Sequence, residues 1–82
     1  MSKKILIIED DADIAAIERD YLEINGYEVE ISATGSEGVE KALSNDFNLI
    51  ILDIMLPEMD GFEVCKSIRD KIDIPIMIRK SF

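Results

Sequence analysis

The sequence contains no histidine and no tryptophan, a single cysteine (Cys65) and only two prolines. Without histidine, imidazole base catalysis, imidazole metal ligation and a phosphohistidine carrier role are all excluded from this chain. A lone cysteine rules out an intramolecular disulfide and suits a reducing compartment. Basic residues are scarce as well: 9 Lys and Arg stand against 18 Asp and Glu, for a net charge of −9. Such a chain repels a phosphate backbone, so nucleic acid is not expected as its partner. No apolar run approaches the ~20 residues that span a bilayer. The opening MSKKILIIED has too short an apolar stretch for a secretory leader, so a cytoplasmic protein that spans no membrane is expected. At 82 residues the chain is one small domain, of the size that buries only about 60% of its unfolded surface.

What is present alternates. KKILIIE (3–9) is short, Ile-rich and bounded by charge, which reads as a strand buried on both faces. Over 10–26 the period changes, with Ile14, Ile17, Tyr21 and Ile24 at spacings of three and four and Leu22 beside them. This is one apolar helical stripe, started by Asp11 or Asp13 and ended at Gly26. Residues 27–33 alternate Tyr27, Val29 and Ile31 with Glu28, Glu30 and Ser32, as a half-exposed edge strand does. A turn and short helix follow over 34–46, with Val39, Ala42 and Leu43 inward and Glu37 paired to Lys41. FNLIILD (47–53) is the most apolar segment and belongs at the sheet centre. A third helix is expected over 61–71 with Phe62, Cys65 and Ile68 inward, capped by Asp60 with Glu63 three residues on. IPIMI (74–78) is a fourth strand, with Pro75 near its start and Met77 assigned to the core.

Short helices between apolar strands imply parallel pairing with right-handed crossovers. The expected class is α/β: a flavodoxin-like doubly wound parallel sheet, incomplete, running β-α-β-α-β-α-β with strand order 2-1-3-4. In such sheets the ligand site lies beyond the carboxyl ends of the strands where the order reverses, here between the first and third. The first strand ends in Glu9-Asp10-Asp11 and the third in Asp53. Each acid has a plain structural reading, as helix cap or turn residue, but together they crowd like charges at one point. A hard divalent cation such as Mg²⁺ relieves that, needing only one or two carboxylates, a carbonyl and waters. A carboxylate there is also a nucleophile towards phosphorus, so Asp53 is placed to be both metal ligand and phosphate acceptor.

The stretches ILIIEDD (5–11), NGYEV (25–29), ATGSEGVEKAL (33–43) and LIILDIMLPEMDGFEVCKSIR (49–69) resemble the receiver domain of bacterial two-component response regulators. The most specific is D-x-x-x-P-x-x-D-G following an apolar strand, with Pro57, Asp60 and Gly61 forming its loop. The resemblance implies that Asp53 is the phosphoacceptor and that Asp10 and Asp53 ligate Mg²⁺ directly. Glu9 would act in a second shell or through water, and the Met55 backbone carbonyl would complete the protein's share. It implies a sensor histidine kinase as donor and no enzymatic activity beyond self-catalysed phosphoryl transfer onto Asp53. The style is similar to regulators that also carry a winged-helix DNA-binding domain, of which this sequence contains none.

The resemblance also has departures. The family has five strands and five helices, whereas these 82 residues end after the fourth strand, so a single truncated receiver domain over 1–82 without output domain is expected. Aligned from Pro75, the family's apolar residue, Thr or Ser, and Ala correspond to Arg79, Lys80 and Ser81. Lys80 thus takes the place of the switch hydroxyl and is a candidate phosphate-stabilising cation, while the fifth-strand Lys has no counterpart. An unpaired fourth strand and an uncovered sheet face favour a homodimer. The alternative function is a non-signalling truncated fragment that folds by self-association and transfers no phosphate. A carboxylate-dependent metal hydrolase is the third reading, for which the sequence offers no separate base.

Overall fold

The computed structural model describes residues 3–54, 56 and 60–79. Seven elements follow in order: β1 (Lys4–Ile8), α1 (Ala12–Ile24), β2 (Glu28–Ser32), α2 (Gly35–Ser44), β3 (Leu49–Asp53), α3 (Gly61–Arg69) and β4 (Ile76–Arg79). The strands form one parallel sheet in the order β2-β1-β3-β4. The expected alternation and strand order are therefore observed, with β2 at one edge and β4 at the other.

Side chains alternate across each strand, so each sheet face draws on every second residue. Leu6, Ile8, Ile50 and Leu52 point to one face and pack with Ala42 of α2 and with Val64 and Ile68 of α3. Ile5, Ile7 and Ile51 point to the other, where Ala15 of α1 covers them together with half-buried Leu22. Parallel partners share a face, so the pairs Ile51↔Met77 and Asp53↔Arg79 place all four residues on the α1 side.

The helix ends follow local chemistry. Asp11 caps α1, its Oδ1 accepting from the N–H groups of Asp13 (2.9 Å) and Ile14 (3.1 Å). Asn25 and Gly26 close it, Gly26 at φ 92°, a conformation that strains any side-chain-bearing residue. Thr34 caps α2 and Asp60 caps α3. The Glu37–Lys41 pair forms, at 3.9 Å, and Lys41 Nζ also donates to the Ile31 carbonyl.

Several inward assignments need correction. Ile17 and Tyr21 are each 69% exposed, and Ile24 is more exposed still. Helix α1 lies over β1 and β2, so Ala15 and Leu22 meet the sheet while the other flank of the stripe overhangs β3. Between that flank and Ile51 runs a groove of about 380 Å³ lined by Ile17, Glu18, Tyr21, Leu22 and Ile51. Met77 is 55% exposed for the same reason, since the apolar side chains of α1 do not cover β4. Leu43 and Phe62 also face outward, and Val64 takes the core position in α3 beside half-buried Cys65. A three-to-four spacing defines a stripe without saying which flank meets the sheet.

Candidate functional site

The carboxyl ends of β1 and β3 lie side by side, with Leu52 the register partner of Ile8. One step further along the two strands stand Glu9 and Asp53, which are 1% and 0% exposed. Asp10, exposed, follows Glu9 as the chain turns towards α1. Carboxylate oxygens of Glu9, Asp10 and Asp53 all lie within 4.8 Å of one another. The two acid-bearing segments singled out in the sequence thus converge at the switch point.

The backbone fixes these positions. Glu9 extends the sheet by one rung, its N–H donating to the Ser32 carbonyl at 3.0 Å, while its Oε2 accepts from Asp11 N–H at 3.0 Å. Ile54 N–H donates to the Arg79 carbonyl at 3.1 Å, extending the β3–β4 ladder past Asp53. Gly61 then brings the start of α3 against the same strand end, its N–H donating to the Ile54 carbonyl at 3.3 Å. A Cβ at Gly61 would fall on Ile54 Cα and the Asp53 carbonyl oxygen, so only glycine permits this approach. Asp60, beside it, accepts from Phe62 N–H at 2.8 Å. Met55, Pro57 and Lys80 lie outside the described residues.

Two further residues belong to the site and were not singled out in the sequence. Arg79, the last residue of β4, donates from Nη2 to Glu9 Oε1 at 2.6 Å and to Glu18 Oε1 at 3.2 Å. Its Nε lies 2.9 Å from Glu18 Oε2, within ion-pair range but not aligned for a hydrogen bond. The signal was positional: placing the strand end at 79 rather than 78 puts Arg79 in register with Asp53, on its face. Glu18 stands on α1 and received no assignment from the sequence.

The electrostatics follow from burial. Desolvation pushes the Glu9 carboxyl above its ordinary value, and nearby Asp53 and Asp10 push the same way, against the hydrogen bonds from Arg79 and the Asp11 N–H. Burial alone would lower the Arg79 guanidinium, but its bond to Glu9 and the charges of Glu18 and Asp53 hold it above its usual value. The donor set is all hard carboxylate oxygen on adjacent strand ends, which fits Mg²⁺ in chemistry.

A four-stranded parallel sheet with acids massed at its switch point defines a doubly wound α/β module built around a carboxylate crevice. The sequence matches the response regulator receiver domain family over residues 5–79, and the chain belongs to that family. It is 47% identical over 75 residues to the response regulator ArlR of Staphylococcus saprophyticus, covering 92% of this chain and 34% of that protein. A CheY-like receiver domain from Methanospirillum hungatei superposes with a TM-score of 0.92 at 37% identity, over 100% of this chain and 66% of that one. TrrA of Thermotoga maritima, solved in complex with Mg²⁺-BeF, superposes at 0.93 with 33% identity, over 98% of this chain and 70% of that one. TrrA has also been solved in complex with the histidine kinase ThkA. The chain thus spans about a third of the length of the curated relative it matches.

Proposed function

We propose that this chain is a phosphoacceptor module of a two-component phosphorelay, phosphorylated on Asp53 by a sensor histidine kinase with Mg²⁺. The observation that carries this reading is a fully buried Asp53 held at a strand end beside two further acids. An Asp53 carboxylate oxygen forms the bond to phosphorus as the phosphorus–nitrogen bond of the donor phosphohistidine breaks, and the electron pair leaves with an imidazole that is neutral because its other ring nitrogen already carries a proton. Asp10 and Asp53 would hold the metal in this reading, Glu9 would order its water, and Met55 is the residue expected to add a backbone carbonyl. When bound, Mg²⁺ neutralises charge on the transferring phosphoryl oxygens. Asp60 and Gly61 shape the loop that follows the acceptor, and Lys80 is a candidate contact for the phosphoryl group. The residues of the family match act here as one module, cytoplasmic and self-phosphorylating rather than an enzyme with turnover. No helix among the described residues is long and apolar enough to cross a membrane.

A supporting likeness is TrrA, whose complexes pair it with Mg²⁺-BeF and with a histidine kinase. The test is transfer from an autophosphorylated histidine kinase fragment to this chain, followed by acid–base lability of the product. Label that appears on the parent and not on Asp53→Asn supports the proposal, and label that persists on Asp53→Asn contradicts it.

The same reading includes self-association. Ile17, Tyr21, Met77 and Ile78 are exposed, and on its outer side β4 has no strand partner among the described residues. A homodimer through this edge or through the α1-side face would cover them. Light scattering at micromolar concentration tests it, with a strictly monomeric folded species as the contrary result. A chain that only self-associates and takes up no phosphoryl group is the second reading, favoured by the engagement of Glu9 with Arg79.

A further inference from the structure

Arg79 stands where charge is least expected, at the end of a strand whose other members are apolar, and its position has a geometric cause. As the register partner of Asp53 it must point to the same side of the sheet, towards the acids and towards α1. There the guanidinium bridges Glu9, whose side chain is wholly buried, and Glu18, whose side chain is 24% exposed. A buried carboxylate crowded by two others is costly without a countercharge. Among the described ion pairs only that of Arg79 reaches Glu9, whereas Lys4, Lys41, Arg19 and Arg69 pair elsewhere.

We propose that Arg79 is a tethered countercation of the acidic crevice, competing with an incoming divalent cation for the Glu9, Asp10 and Asp53 carboxylates. The inference rests on the reading that this crevice takes such a cation. Two positive groups within the same few ångströms repel strongly, even after discounting for a guanidinium that is a quarter exposed. Glu18 supplies the second anchor onto which Arg79 withdraws as the ion enters, since Nε and Nη2 already reach both of its oxygens. Arg suits this role better than Lys because its planar fork engages two carboxylates at once.

The test is Mn²⁺ binding to the full chain by electron paramagnetic resonance. Arg79→Met keeps the length of the side chain and removes its charge, and should bind Mn²⁺ about tenfold more tightly than the parent. Arg79→Lys keeps the charge without the fork and should bind less tightly than Arg79→Met, nearer to the parent. Unchanged or weaker binding by Arg79→Met overturns the inference while leaving the metal site standing. No binding by the parent or either variant overturns both. Because Arg79→Met leaves Glu9 unpaired and its fold is at risk, a second measurement uses the unaltered chain. Saturating Mg²⁺ should displace the Arg79 Nε–Hε resonance and leave those of Arg19 and Arg69 in place. An Arg79 resonance that does not move overturns the inference.

Discussion

The two faces of the sheet are built from the same strands by the same alternation, yet they end differently. On the α2–α3 face, Leu6, Ile8, Ile50, Leu52, Val64 and Ile68 are all fully buried. On the α1 face, Ile5 and Ile7 are covered, but Ile17 and Tyr21 stand open along a groove and Met77 is exposed on β4. Two helices cover one face and a single helix, set over β1 and β2, covers the other. The closed face supplies the packing, and the half-open face gathers the charged groups Glu9, Asp53, Arg79 and Glu18. Apolar packing and charge are thus divided between alternate residues of one strand, with Leu52 and Asp53 equally buried neighbours that face opposite sides of the sheet.

The comparison predicts a graded series. Leu52→Ala or Ile50→Ala removes packing from the closed face and should destabilise the fold by about 2–5 kcal/mol. In a chain this small that is a large share of the total, and urea denaturation followed by circular dichroism should show most of the cooperative transition lost. Asp11→Ala removes the cap that starts α1 and should cost about 1 kcal/mol, read as a lower urea midpoint at unchanged slope. On the open face, Ile17→Ser or Met77→Ser should change stability by no more than about 0.5 kcal/mol. Those substitutions should instead lower the apparent mass in light scattering if the chain self-associates through this face. A large stability loss from Met77→Ser, or none from Leu52→Ala, would break the contrast between the faces.

Much of this was legible in the sequence. Short Ile-rich runs alternating with helical periods led directly to the parallel order, and the acids at 9, 10 and 53 converge because adjacent parallel strands end together. The flank of each helix that meets the sheet was not legible. Ile17, Tyr21 and Phe62 lie on well-formed apolar stripes, and only the placement of the helix decides which side of a stripe is covered. Arg79 escaped because strand ends are the least certain part of a pattern. One residue separated a strand ending at Ile78 from one that carries a guanidinium into register with Asp53. Glu18 was invisible for a related reason: its partner lies 61 residues away in sequence, and no local period announces it.

The central claim is that the crevice of Asp53, Glu9 and Asp10 carries acceptor chemistry by itself. The most direct measurement is prompt intact-mass spectrometry after incubation with Mg²⁺ and a small acyl-phosphate donor, with Asp53→Asn in parallel. The account predicts one added phosphoryl group on the parent, dependent on Mg²⁺, and none on Asp53→Asn. A parent that binds Mg²⁺ and gains no mass, or an Asp53→Asn chain that gains as much as the parent, would contradict it.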